Sequence, residues 1–263
     1  MLFCYGLVCR REHWRHQLNH FTSGYQHITF DYRAHQRSAI PTNSTHLTLE
    51  WCANDAEDLI RYLKLKEVVV MGHSMGVAVA SLLGQRAKDV VKGLILVCGS
   101  VSNPFERMFN SDRMDGLFKI YATLFENAPN AMSLIMRKLT ELNRLSFYLT
   151  ARLGFNPYLA EEQDVLQYME GVNSIAPSIF YSLITSYTQF DGRSDLPGIE
   201  CPTLVISGTS DVLTPLKLQE EMAELIPKGI LEKIPMGSHN AHMDLPDMVN
   251  HKIEEFLSHI NYK

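Results

Sequence analysis

Three side chains in this sequence have the types and the placement for nucleophilic acyl transfer: Ser74, Asp211 and His239. Each follows a short apolar run of strand character, at Glu67–Met71, Pro202–Ser207 and Leu231–Ile234. A neutral serine hydroxyl is a poor nucleophile and needs a base within hydrogen-bond reach. Histidine supplies that base near neutral pH, and a carboxylate fixes its tautomer and stabilises the imidazolium that forms. Ser74 lies in Gly72-His73-Ser74-Met75-Gly76, between a β-branched run and the small apolar stretch Val77–Leu83. G-x-S-x-G in a strand-to-helix turn is the nucleophile-elbow pattern. The serine backbone is strained there, and side chains two positions to either side collide, which glycine avoids. The turn lifts the hydroxyl above the sheet edge, and the Met75 N–H and helix N-terminus face developing negative charge.

The elements that must position these residues are read from periodicity. Leu2–Tyr5, His27–Phe30, Glu67–Met71 and Val91–Val97 are strands, separated by helical patterns at Arg11–Phe21, Leu49–Leu63 and Val77–Leu83. On Leu49–Leu63, Trp51, Ala56, Leu59, Ile60 and Leu63 are available to the core. Strands alternating with helices predict a parallel sheet covered on both faces. The alternation stops at Asn103-Pro104 and resumes near Gln189. Between them four helical stripes are expected, built on Leu117/Phe118/Tyr121/Leu124/Phe125, Leu134/Ile135/Lys138/Leu139/Leu142, Val165/Leu166/Met169/Val172 and Ile179/Leu183/Tyr187. The expected organisation is a core domain of residues 1–102 and 191–263 with a helical cap, 103–190, inserted over the strand ends. Met108, Met114, Met132, Met136 and Met169 either pack those helices together or line a deformable pocket. Strands at Pro202–Ser207 and Leu231–Ile234, a helix at Leu216–Ile226 and a last helix from Pro246 complete the chain.

Composition narrows the partners. The chain has 263 residues, 46% hydrophobic and 20% charged, as in an ordinary globule. A formal charge of −5 offers no overall basic surface for nucleic acid or anionic lipid. No apolar run is long enough to span a membrane. Five cysteines form no C-x-x-C pair and an odd number cannot all pair, so reduced thiols in a cytoplasmic protein are expected. His13, His16 and His20 share a helix, but no carboxylate or cysteine completes a ligand set at usual spacing, so a solvated face is expected there and no metal or cofactor.

Four motifs together resemble the α/β-hydrolase superfamily, specifically its cap-bearing, esterase-like branch. They are Gly72–Gly76; Asp31-Tyr32-Arg33-Ala34-His35-Gln36-Arg37-Ser38, similar to the family's D-x-R-G-x-G-x-S; Gly208-Thr209-Ser210-Asp211; and Gly237-Ser238-His239 with Asp244 and Pro246 following. The resemblance implies an α/β-hydrolase fold with Ser74, Asp211 and His239 as its triad. In the family the catalytic histidine lies seven residues before the proline opening the last helix, which selects His239 over His242 and leaves His242 as a rim or packing residue. His35 and His73 are expected to be structural. The family's aspartate-nucleophile branches, haloalkane dehalogenases and epoxide hydrolases, do not fit a serine at the elbow. Two features depart from the family. Tyr5-Gly6 stands where His-Gly is usual, so the second oxyanion donor falls by position on the Leu7 N–H, beside that of Met75. Two family strands that usually precede Tyr5-Gly6 are missing, leaving about six strands and His27–Phe30 on an edge; either the chain is shortened or a partner or second copy covers that edge.

The function this implies is hydrolysis of carboxylic esters with apolar parts, through an acyl-enzyme on Ser74. Carbon–carbon, lactone, amide and monoacylglycerol hydrolysis use the same constellation, and a weakly catalytic small-molecule receptor retains it too.

Overall fold

The computed structural model describes residues 1–262. Six strands form one parallel sheet: β1 (Leu2–Cys4), β2 (Ile28–Thr29), β3 (Val68–His73), β4 (Val91–Val97), β5 (Thr203–Gly208) and β6 (Gly229–Ile234), in the order β2-β1-β3-β4-β5-β6. Every pairing is parallel, with Leu2 opposite Val70, Val70 opposite Leu94, Ile95 opposite Leu204 and Val205 opposite Leu231. β3 and β5 are buried throughout, and in β4 only Lys92 reaches solvent. That explains why they read as continuous apolar runs rather than alternating ones. β2 is an edge of two residues, short enough to offer little template for pairing.

Around the sheet run α1 (Arg15–His20, extended backwards by a 3₁₀ turn at Arg11–Trp14), α2 (Leu49–Tyr62) and α3 (Met75–Arg86). Between β4 and β5 stand five helices: α4 (Met114–Asn127), α5 (Pro129–Leu139), α6 (Arg144–Gly154), α7 (Glu162–Ser174) and α8 (Pro177–Gln189). α9 (Leu216–Leu225), the single turn α10 (Ala241–Asp244) and α11 (Pro246–His259) close the chain. No helix among the described residues is long and apolar enough to cross a membrane.

Several stripes pack as their spacing predicts: Ile179, Leu183 and Tyr187 are buried on α8, and Val249, Ile253, Phe256 and Leu257 on α11. Other expectations need correction. Five helices, not four, fill the block, because α6 carries its leucines outward. Leu134, Ile135, Lys138, Leu139 and Leu142 face solvent, as do Leu117 and Leu124 beside the buried Phe118 and Phe125. Trp51 is not core: it lies on the surface, stacked 4.9 Å under the Arg33 guanidinium. His13 is fully buried rather than solvated, its ring 5.2 Å from that of Tyr168.

The loop after β2 is held by Arg33, which makes two bonds of 2.8 and 2.6 Å to the Asp55 carboxylate and one of 2.9 Å to the His46 carbonyl. Ala34 and Gln36 occupy the two glycine positions of the family's D-x-R-G-x-G-x-S, and both have left-handed backbones, φ 61° and 43°. An L side chain costs roughly 1 kcal/mol or more in that region. Ala34→Gly is therefore expected to stabilise the fold by about 0.5–1 kcal/mol, less the entropy glycine adds to the unfolded chain, read from urea unfolding midpoints.

Candidate active site

Ser74 caps the N-terminus of α3 with φ 54° and ψ −121°, a conformation that costs a non-glycine residue about 1–3 kcal/mol. Crowding from both flanks holds it there. A Cβ on Gly72 would stand 2.4 Å from the Gly76 carbonyl oxygen, and one on Gly76 would stand 2.2 Å from the Cys4 carbonyl oxygen. Backbone meets backbone at both places, so nothing can give way, and the two glycines are a steric requirement of the elbow. The Ser74 side chain remains partly exposed while its neighbours in the turn are buried.

The loop after β6 brings His239 over this serine. His239 Nε2 lies 3.0 Å from Ser74 Oγ, and Nδ1 lies 3.0 Å from Asp211 Oδ2. Because the carboxylate accepts, Nδ1 carries the proton and Nε2 is left to accept from the serine hydroxyl. Asp211 is buried at the end of β5, with its side chain closed to solvent. Its Oδ1 accepts from the Leu213 and Thr214 N–H groups, both at 2.9 Å, and its Oδ2 from the Thr214 hydroxyl at 2.8 Å. Four donors thus fix both oxygens before any substrate is present.

A second tier of side chains holds these three, and most of it is absent from any local pattern. Gln219, fully buried on α9, donates to the Thr214 carbonyl at 2.6 Å and to the Gly99 carbonyl at 3.2 Å, and accepts from the Ser207 hydroxyl at 2.8 Å. It ties the acid turn to the ends of β4 and β5. Asp244 accepts from the N–H groups of Ser238 at 2.9 Å and Asn156 at 3.0 Å, anchoring the histidine loop to the segment after α6. Burial raises the pKa of Asp244, against the lowering effect of those donors. His73 is buried behind the elbow and donates from Nε2 to the His239 carbonyl at 3.0 Å. Burial, reinforced by the neighbouring imidazoles, holds its pKa well below the ordinary histidine value, so it stays neutral. His242 is likewise buried, 4.8 Å from Trp14 and 4.4 Å from His73 between ring centres, and burial lowers its pKa to about 3. It packs rather than lines a rim.

The Leu7 and Met75 N–H groups donate to no described residue. Tyr5, at the position where the family usually has histidine, is held by Tyr32. Its hydroxyl is buried and accepts the Tyr32 N–H at 2.9 Å, while its ring meets that of Tyr32 edge-on at 4.7 Å. The departure at Tyr5-Gly6 therefore comes with its own support, which joins the end of β1 to the Asp31–Ser38 loop.

Elsewhere, ligand atoms of His16, Glu161 and Asp164 come within 4.8 Å of one another, a grouping that spacing along α1 alone does not reveal. Arg15 already occupies it, its guanidinium bonded to Asp164 at 2.6 Å and to Glu161. A cation there would have to displace that charge.

The sequence model of the alpha/beta hydrolase fold matches residues 1–246. Among curated proteins, Epoxide hydrolase 1 of Caenorhabditis elegans is 24% identical over 266 residues, spanning 98% of this chain and 64% of its own length. Protein ABHD8 of Homo sapiens is 24% identical over 259 residues, spanning 98% of this chain and 54% of its own. The chain thus spans little more than half to two thirds of these relatives. Among solved structures, the esterase EaEST of Exiguobacterium antarcticum superposes with a TM-score of 0.80 at 19% identity, covering 98% of this chain and 91% of its own. At that identity the likeness concerns the fold. A family match over nearly the whole length, on a parallel sheet with a strained serine at its centre, places the chain in the α/β-hydrolase fold family.

Proposed function

We propose that this protein is a serine hydrolase that cleaves carboxylic esters with apolar acyl or alcohol parts. The observation that carries the reading is the unbroken line from Ser74 Oγ through His239 to Asp211, with both contacts at 3.0 Å. Ser74 Oγ attacks the ester carbonyl carbon as its proton passes to His239 Nε2. The oxygen that gains charge is met by the Leu7 and Met75 N–H groups, each worth about 3–4 kcal/mol of transition-state stabilisation. His239 then gives its proton to the departing alkoxide, leaving Ser74 acylated. Water, deprotonated by the same Nε2, releases the acid. The five helices α4–α8 act as the cap. The aromatic and methionine side chains these helices bury, Phe118, Phe125 and Met169 among them, support the substrate polarity. An aspartate nucleophile, which epoxide opening uses, is not present at the elbow.

The reading is tested with a fluorophosphonate probe and 4-nitrophenyl butyrate. Expected results are stoichiometric labelling, mapped to Ser74 by peptide mass spectrometry, and steady ester turnover. Folded protein that takes no label would sink it. Labelling without turnover on esters, but with turnover on lactones, amides or cleavable diketones, would keep the nucleophile and reassign the substrate.

A further inference from the structure

We propose that α5 and α6 form a docking face for an anionic lipid bilayer. Both helices leave most of their leucines in water. α6 packs Phe147 and Ala151 inward beside Ser146, Thr150 and Gly154, while Leu145, Tyr148, Leu149 and Leu153 face out, with Leu145 67% and Tyr148 62% exposed. α5 turns Met132, Ser133 and Met136 inward and Leu134, Ile135 and Leu139 outward, Leu139 being 69% exposed. Leucine gains by leaving water, so a run of outward leucines on two adjacent helices is favoured when the exterior is itself apolar.

Charge decides which apolar exterior. The polar side chains interleaved on these outward faces are Arg137, Lys138, Arg144 and Arg152, all exposed. Glu141 is the one carboxylate in residues 129–154 and pairs with Lys138 at 2.7 Å. The segment therefore carries a net +3 in a chain whose formal charge is −5, a segregation that whole-chain charge conceals. Arg137, Arg144 and Arg152 meet no carboxylate among the described residues. Leucines flanked by unpaired arginines, with tyrosine among them, make an interfacial surface: the apolar groups enter the acyl boundary and the cations meet lipid phosphates. A second copy of the chain fits less well. A two-fold interface sets a face against itself, bringing these arginines together.

The same face opens inward. The cleft between α5, α6 and α7 is walled by Leu139, Leu149, Leu153, Tyr168, Met169 and Leu213. Leu213 donates to Asp211, and the Gly154 carbonyl at the same wall accepts from the Ser238 hydroxyl beside His239. Ser74 is not in that wall, so the cleft runs from the docking face to the loops behind the histidine rather than to the hydroxyl itself.

The test is cosedimentation of the whole chain with vesicles of phosphatidylcholine alone and with phosphatidylglycerol added, using wild-type and Ser74→Ala protein, since docking requires no catalysis. Both proteins are expected to bind only the phosphatidylglycerol vesicles, and less so as salt rises. The combined variant R137Q/R144Q/R152Q is expected to bind on the order of 100-fold more weakly, at about tenfold or less for each cation removed from the surface. L139E/L145E/L149E is expected to abolish binding even at low salt. The substituted side chains are exposed, and thermal unfolding checks that each variant is folded; if the leucine variant melts early, the arginine variant decides alone. Failure of wild type to bind phosphatidylglycerol vesicles overturns the proposal, as does unchanged binding by the arginine variant. A wild-type dimer that binds no vesicles and that L139E/L145E/L149E converts to monomer assigns the face to a second copy instead.

Discussion

Replacing Ser74 with alanine is expected to lower ester turnover by about 10⁶-fold, the loss typical of removing the nucleophile from a triad that acts as a unit. Stability should change little. Alanine meets the same backbone strain at φ 54° that serine meets, and the hydroxyl lost makes one hydrogen bond, to His239 Nε2, at a partly exposed position. The variant should therefore unfold at nearly the wild-type midpoint while taking no fluorophosphonate label. Turnover within tenfold of wild type in a folded, unlabelled variant would mean that the ester chemistry belongs to another group. Gly76→Ala provides the contrast. Its added methyl would sit 2.2 Å from the Cys4 carbonyl oxygen, so activity should be lost through the fold, with more than about 3 kcal/mol of destabilisation in urea.

What could be read from the residues alone follows from which interactions are local. The elbow is legible because its steric demand falls on positions two apart in sequence, and β4 because burial on both faces writes itself as Val-Lys-Gly-Leu-Ile-Leu-Val. His239 is separable from His242 in sequence through its distance to Pro246 and its glycine-led loop; side-chain chemistry is the same, and what differs is that one ring faces Ser74 and the other Trp14. Thr214 and Gln219 gave no signal. Their value lies in contacts with Asp211, Gly99 and Ser207, and nothing in the pattern of α9 says that a glutamine is buried. The helices between β4 and β5 differ from their expected packing for a related reason. Periodicity reports that Leu134, Ile135 and Leu139 share a face but not whether anything covers it, and on α6 the leucines lie opposite the small residues that pack inward. Trp51 and His13 exchanged their expected places because each answers to a partner remote in sequence, Arg33 for the tryptophan and Tyr168 for the histidine.

Asp211→Asn is expected to reduce kcat by about 10⁴-fold without unfolding the protein, because the substitution selects the wrong histidine tautomer. The direction follows from how the carboxylate is held. Oδ1 accepts two backbone N–H groups, from Leu213 and Thr214, so the asparagine oxygen is pinned at that position and its NH₂ falls where Oδ2 was. An amide nitrogen there donates to His239 Nδ1, now 3.0 Å away from a donor instead of an acceptor. Nδ1 must lose its proton, and Nε2 takes it up and points it at Ser74 Oγ. The base is then absent from the step that needs it, although every heavy atom keeps its place. The Thr214 hydroxyl, 2.8 Å from Oδ2, rotates to accept from the new NH₂, which keeps the turn satisfied and the stability cost small. Asp244→Asn is the matched control, since Asp244 reaches the same histidine loop through the Ser238 N–H and does not touch the ring. It should lower kcat by less than about tenfold, as expected for a lost positioning contact rather than a lost tautomer. Steady-state kinetics on 4-nitrophenyl butyrate with thermal unfolding of both variants separates the cases. Equal losses in the two, or a larger loss for Asp244→Asn, would move the acid of the triad from the end of β5 to the end of α10.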